Sequence, residues 1–133
     1  MLSGVNLRVR GARAADAFLL APKLRAADVL EAQLLGMDPQ HELVDGVICS
    51  RWALTLEFNY EPIAIFGVRQ SGHSREVGVP WFVGSDRMAS QGRALQRWSP
   101  VYIAAMLHQF PTLANVVHAD NAVALRWLRR SGF

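Results

Sequence analysis

The sequence predicts an α/β domain built around one mixed central sheet, and three observations carry that prediction. Stretches with the two-residue alternation of strands are interleaved with stretches of helical period rather than segregated from them. Two alternating runs, Trp52 to Phe58 and Ile63 to Val68, are close enough in the chain to pair as a hairpin. The 133 residues are 51% apolar and 19% charged, a balance that suits one packed domain spanning residues 1–133 and argues against disorder.

Taken in order, Val5 to Arg10 sets Val5, Leu7 and Val9 against Asn6, Arg8 and Arg10, a half-buried strand that Gly11 ends. From Ala12 to Leu35 the pattern is helical with a break at Pro22, and Gly36 closes it. Asp38-Pro39 reads as an N-cap followed by a first-turn proline. Glu42 favours the positive helix end, so a helix is predicted from Pro39 to about Arg51. Asn59-Tyr60-Glu61-Pro62 supplies the tight turn of the hairpin, and Gln70 to Glu76 is a polar loop. Val77 to Val83 is a further strand in which Pro80-Trp81 marks an edge or a bulge. Met88 to Trp98 is helical. Ser99-Pro100 reads as a cap and a fresh helix, with Ile103, Met106, Leu107 and Phe110 on one face until Pro111. Asn115 to His118 is a short strand, and Asp120 or Asn121 caps a last helix that ends at Gly132.

Composition excludes several classes of function. A net charge of +3 is too small to point to nucleic acid, and 13 of the 14 basic residues are Arg. Cys49 is the only cysteine, so no internal disulfide forms, and a reducing cytoplasm is compatible. It lies in an apolar helical stretch and is expected to be a small buried group. His41, His73, His108 and His118 show no metal-ligand spacing, so no metal is expected. No apolar run approaches a membrane span and the N-terminus lacks a signal layout, so neither a membrane nor a secreted protein is expected. The four Trp and six Phe are expected in the core.

The segment Asn121-Ala122-Val123-Ala124-Leu125-Arg126-Trp127-Leu128-Arg129-Arg130-Ser131-Gly132-Phe133 resembles the closing segment of the GCN5-related N-acetyltransferases (GNAT). There an Asn opens the last helix, an Ala follows and Gly-Phe ends it. The family places its fifth strand where Val116 to Ala119 stand, and its element order matches the order above. The resemblance implies a three-layer acyl-CoA N-acyltransferase fold with acetyl-CoA as cofactor. Arg87-Met88-Ala89-Ser90-Gln91-Gly92 stands where the family binds the pyrophosphate, with Ser90 in place of the usual first Gly. The resemblance further assigns Phe82, Val83 and Gly84 to polarising the thioester carbonyl, and Asn121 to the cofactor site.

For a general base the residues offer Glu57, Glu61 and His118, with Asp120 behind them. Each also has a structural reading: Glu57 on the solvent face of its strand, Glu61 in a turn, and His118 or Asp120 as a helix cap. Two departures from the family stand out. Leu128, eighth in the closing segment, replaces the Tyr that protonates the leaving thiolate in many members. The sequence also stops at Phe133, which implies a last hairpin shortened or missing.

A narrower resemblance accounts for both departures. Pro80-Trp81-Phe82-Val83-Gly84, Phe110-Pro111-Thr112-Leu113-Ala114-Asn115-Val116-Val117 and the Asn121 segment are similar to the small internal virion proteins of short-tailed bacteriophages. That likeness implies a role in virion assembly with reduced or lost catalysis, other virion proteins as partners, and the virion or host cytoplasm as location. The alternative reading is an active N-acetyltransferase that passes acetyl to an amine by direct attack.

Overall fold

The computed structural model describes residues 7–114. Among them five strands form one sheet in chain order: β1 Leu7–Gly11, β2 Trp52–Phe58, β3 Glu61–Gln70, β4 Val77–Gly84 and β5 Thr112–Leu113. Strands β1 to β4 are antiparallel neighbours, whereas β5 runs parallel to β4. The sheet is therefore mixed, as predicted. The helices are α1 Ala14–Leu20, α2 Ala26–Leu34, α3 Pro39–Cys49 and α4 Gly92–Gln109, with 3₁₀ turns at Ala21–Lys23 and Asp86–Gln91.

Strand alternation sorts the apolar side chains onto two faces and produces three layers. Ile65 meets Ala17, Leu20 and Leu43 of α1 and α3 on one face. On the other, Leu56 and Ala64 pack with Met88, while Val68 packs with Met106 and Phe110 of the α4 region. Trp81 joins the first face because Gly46 of α3 leaves room for its ring, and its Nε1–H donates to Ser50 Oγ at 2.7 Å.

Local chemistry sets the element ends much as the sequence predicts. Asp38 caps α3 by accepting from the His41 N–H at 3.0 Å, and Gly36 closes the preceding segment with a φ of +73°. Pro22 sits in the 3₁₀ turn that separates α1 from α2. The hairpin turn is shorter than predicted. Asn59 and Tyr60 alone make it, at φ of 52° and 66°, the two-residue turn that matches strand twist. Glu61 and Pro62 already belong to β3. The register shift beside them leaves Ile63 unopposed, and a bulge of this kind tolerates a proline.

Four expectations are corrected. Ser99-Pro100 does not start a new helix, since α4 is continuous through Pro100. An interior proline costs a helix about 3 kcal/mol, but Ser99, Met106 and Phe110 are buried on both sides of it while Pro100 faces solvent. Sheet packing holds the two halves in line. Leu107 falls off that inner face and is exposed, as are Phe18 and Cys49. Cys49 lies beyond the edge of the stripe made by Leu43, Gly46 and Val47, so it is not a core group. The predicted strand from Asn115 to His118 and the last helix from Asn121 to Gly132 lie outside the described residues.

Gly78 of β4 faces Phe110, and a Cβ there would stand 2.6 Å from Phe110 Cδ2. Gly78→Ala is therefore expected to destabilise the fold by about 1–3 kcal/mol through overpacking, read as a lower midpoint in urea unfolding. An unchanged midpoint would show that the ring yields.

Candidate functional site

The edge of β4 beyond its contact with β5 is the most distinctive opening of the sheet. Strand β5 pairs with β4 only at Val77 and Gly78. Residues 79–84 have no strand on that side among the described residues. Pro80 lies at this point for a reason that the hydrogen-bond phase supplies. Ser71 N donates to Val77 O at 2.8 Å and Ser85 N to Ile63 O at 2.9 Å. With the alternation of an antiparallel ladder, Val77, Val79, Trp81 and Val83 then bond to β3, and Gly78, Pro80, Phe82 and Gly84 turn their backbone groups outward. The missing N–H of Pro80 thus costs the β3–β4 ladder nothing.

The same phase separates the three residues expected to polarise a carbonyl. The Val83 N–H faces Ile65 in the ladder. The Phe82 N–H is directed to the outer edge. The Gly84 N–H also points outward but donates to Asp28 Oδ2 at 3.0 Å. Asp28 is buried in the first turn of α2, and its two oxygens also receive Arg25 Nε and Nη2, each at 3.0 Å. Arg25 N in turn donates to Gly84 O at 2.8 Å, and its guanidinium lies 5.7 Å from the Phe82 ring centre. The end of β4 is clamped to α2 through both backbone groups of Gly84.

Between β4 and α4 lies a cavity of about 20 Å³, the space of one water molecule. Leu56, Phe66, Phe82, Trp98, Ser99 and Tyr102 are among the residues that line it. Tyr102 packs edge-on to Phe66 with ring centres 4.9 Å apart, and burial pushes its phenol above the ordinary tyrosine range. Sequence reasoning missed Ser99 and Tyr102. Ser99 stands four residues ahead of Ile103 and Tyr102 four ahead of Met106, so the inner stripe extends back to them once the helix is read through Pro100.

In the expected phosphate loop, Arg87 to Gln91 is wound into a 3₁₀ turn that leads directly into α4. Ser90 Oγ donates to Arg87 O at 2.8 Å. The Arg87 guanidinium is exposed and donates to Glu61 Oε2 at 2.9 Å. Lys23 holds the other Glu61 oxygen at 2.5 Å. Chiefly through the Lys23 bond, with Arg87 adding to it, the Glu61 carboxyl is kept below its ordinary range. No side chain caps α4 at Gln91, and Arg93 is exposed in its first turn. The place thus offers an anion two guanidinium groups beside the positive end of an 18-residue helix, with Arg87 already partnered.

Glu57 is brought to a different place. It is buried rather than on a solvent face, and lies with Thr55 on the α1 side of β2, opposite Leu56 and the cavity. Arg10 Nε donates to it at 3.0 Å, while Arg10 Nη1 and Nη2 grip Asp16 at 2.7 Å each. Asp16 also accepts from Arg13 N at 2.8 Å and Thr55 Oγ1 at 2.9 Å. Cys49 donates to Asp45 Oδ1 at 3.4 Å, a bond that heads the causes raising its thiol above the usual range. It is therefore a poor nucleophile. His118, Asp120, Asn121 and Leu128 lie outside the described residues. Among the described residues no His, Cys, Asp or Glu group could hold a metal, and no helix is long and apolar enough to cross a membrane.

Solved structures share this architecture. Ard1 from Thermoplasma volcanium matches over 96% of this chain and 82% of its own, with a TM-score of 0.69 and 15% identity. The fold is that of the GCN5-related N-acetyltransferases. The GNAT domain of S. lividans PAT matches 95% of this chain and 80% of its own at a TM-score of 0.69 and 19% identity. An acetyltransferase from Thermus thermophilus matches 99% and 89% at 0.63 and 21% identity. No family model and no curated protein matches the sequence, so the GNAT likeness is one of fold.

Burial pushes the Asp16 carboxyl up, but the bonds from Arg10, Arg13 and Thr55 outweigh it and hold the group below its ordinary range. Stability from this pairing is present above the unfolded carboxylate range and is lost as pH falls below about 4. Asp16→Asn is expected to cost on the order of 2–3 kcal/mol near neutral pH, the low side of a buried pair because Arg10 keeps 25% of its side chain exposed. The variant's unfolding free energy should also depend less on pH between about 2 and 5. An acid limb as steep as in the parent would assign that proton uptake elsewhere.

Proposed function

We propose that this GNAT-fold chain serves in assembly of a short-tailed phage particle, as an internal virion protein in which acyl transfer is reduced or lost. The observation that carries the reduction is the Gly84 N–H. Acyl transfer on this fold draws on strand N–H groups aimed at the thioester oxygen. Here the Gly84 donor is spent on a buried carboxylate and the Val83 donor on the ladder. Leu128, where the family resemblance places a proton-donating Tyr, supports the same reading, since Leu transfers no proton. Glu57, offered by the sequence as a base, is bound to Arg10 across the sheet from the cavity.

The phosphate end fits acetyl-CoA better than the acyl end does. Arg87, Ser90 and Gly92 would hold the pyrophosphate, Phe82 to Gly84 would run beside the arm, and Asn121 would contribute from the closing segment. When bound, the cofactor supplies an acetyl thioester open to attack by an amine. With Glu61 held by Lys23 and Arg87, His118, with Asp120 behind it, is the remaining base that the sequence offers. The partners are other virion proteins, and the place of action is the virion or the host cytoplasm.

Calorimetry is expected to show acetyl-CoA binding that Arg87→Glu abolishes, while transfer to a panel of amines stays near the uncatalysed rate. Turnover at the roughly 1–1000 per second usual for enzymes would overturn reduced catalysis in favour of the active N-acetyltransferase. Mass spectrometry of purified particles and their precursors should find the chain. Its absence from both would overturn the assembly role.

A further inference from the structure

Glu61 joins two loops that no strand connects. Its carboxylate takes Lys23 from the 3₁₀ turn after α1 and Arg87 from the turn before α4. The carboxylate is the fixed member of this trio. Glu61 follows the two positive-φ residues of the hairpin turn, pairs with Phe58 in register and precedes Pro62, so its backbone has little freedom. The cations are the movable members, since Lys23 and Arg87 are long side chains exposed at 56% and 55%. An anion arriving at Arg87 must therefore displace Glu61 or share the guanidinium with it at a like-charge cost.

We infer that Glu61 is a competing anion for Arg87, a latch that keeps the phosphate loop engaged until a phosphate replaces the carboxylate. This rests on the reading of Arg87 as a cofactor anchor. Lys23 is the counterweight: it satisfies Glu61 when Arg87 leaves, so release strands no negative charge. A pyrophosphate carries more charge than a carboxylate and exchanges favourably, while a weakly charged ligand would leave the latch shut. The latch thus sets both affinity and selectivity for multiply charged ligands.

Removing the carboxylate and removing its counterweight Lys23 give the test opposite signs. In calorimetry with coenzyme A at low salt, Glu61→Gln is expected to tighten binding by about two- to fivefold, the scale of an exposed ion pair. Lys23→Gln is expected to weaken it, because Glu61 then rests wholly on Arg87. The double variant should follow Glu61→Gln, and the gain should shrink as salt rises. Thermal unfolding of each variant should match the parent, since both pairs are at the surface. Equal or weaker binding by a folded Glu61→Gln would overturn the latch, and loss of binding in Arg87→Glu would still uphold the cofactor anchor. Failure of coenzyme A to bind the parent and Glu61→Gln alike would overturn the anchor, and the latch with it.

Discussion

The Asp28 carboxylate, buried against the end of β4, constrains the rest of the site. A charge taken out of water must be paired and hydrogen-bonded, and Asp28 meets that demand with Arg25 and the Gly84 N–H. The first turn of α2 is thereby locked to the C-terminal end of β4. Arg25 completes the lock by donating its own N–H to Gly84 O. An outward backbone donor of β4 is thus consumed by architecture.

The same demand governs the opposite end of the sheet. Arg10, Asp16, Thr55 and Glu57 form one closed set of charges and donors that ties β1 and β2 to α1. Glu57 looks like a base in the sequence because it is a carboxylate near a strand end. Its real setting is a salt bridge to Arg10 on the neighbouring strand β1, on the face of the sheet away from the cavity. Surface charges behave differently. Lys23, Glu61 and Arg87 are exposed, so exchanging partners there costs little. Rigid pairing in the interior and exchangeable pairing at the rim divide this molecule into a scaffold and a responsive loop.

Much of the fold was legible because short-range rules coincide with tertiary ones. Asp38-Pro39 starts a helix by cap chemistry alone, and the alternation of Trp52 to Phe58 marks a strand, although Thr55 and Glu57 on its polar face are buried along with Leu56. Pro80 reads as an edge residue and is one, because its missing N–H faces away from β3. Where local rules were overridden, long-range packing won. Ser99-Pro100 has the local form of a helix start, yet inner-face contacts on both sides carry α4 straight through. Cys49 has apolar neighbours in sequence but sits off the stripe that faces the sheet.

By itself, the sequence determined the element order from β1 to α4, the strand and helix periods, and the residue types present near β4, because these depend on neighbours along the chain. Only the tertiary structure decided which donors and charges are free to act. The phase of β4 follows from its register with β3, and the occupation of Gly84 by Asp28 joins residues 56 positions apart. The partners of Glu57 and Arg87 likewise lie 47 and 26 positions away. Pairings over such distances leave no periodic trace in a sequence, since any carboxylate and any guanidinium can meet once the backbone has placed them.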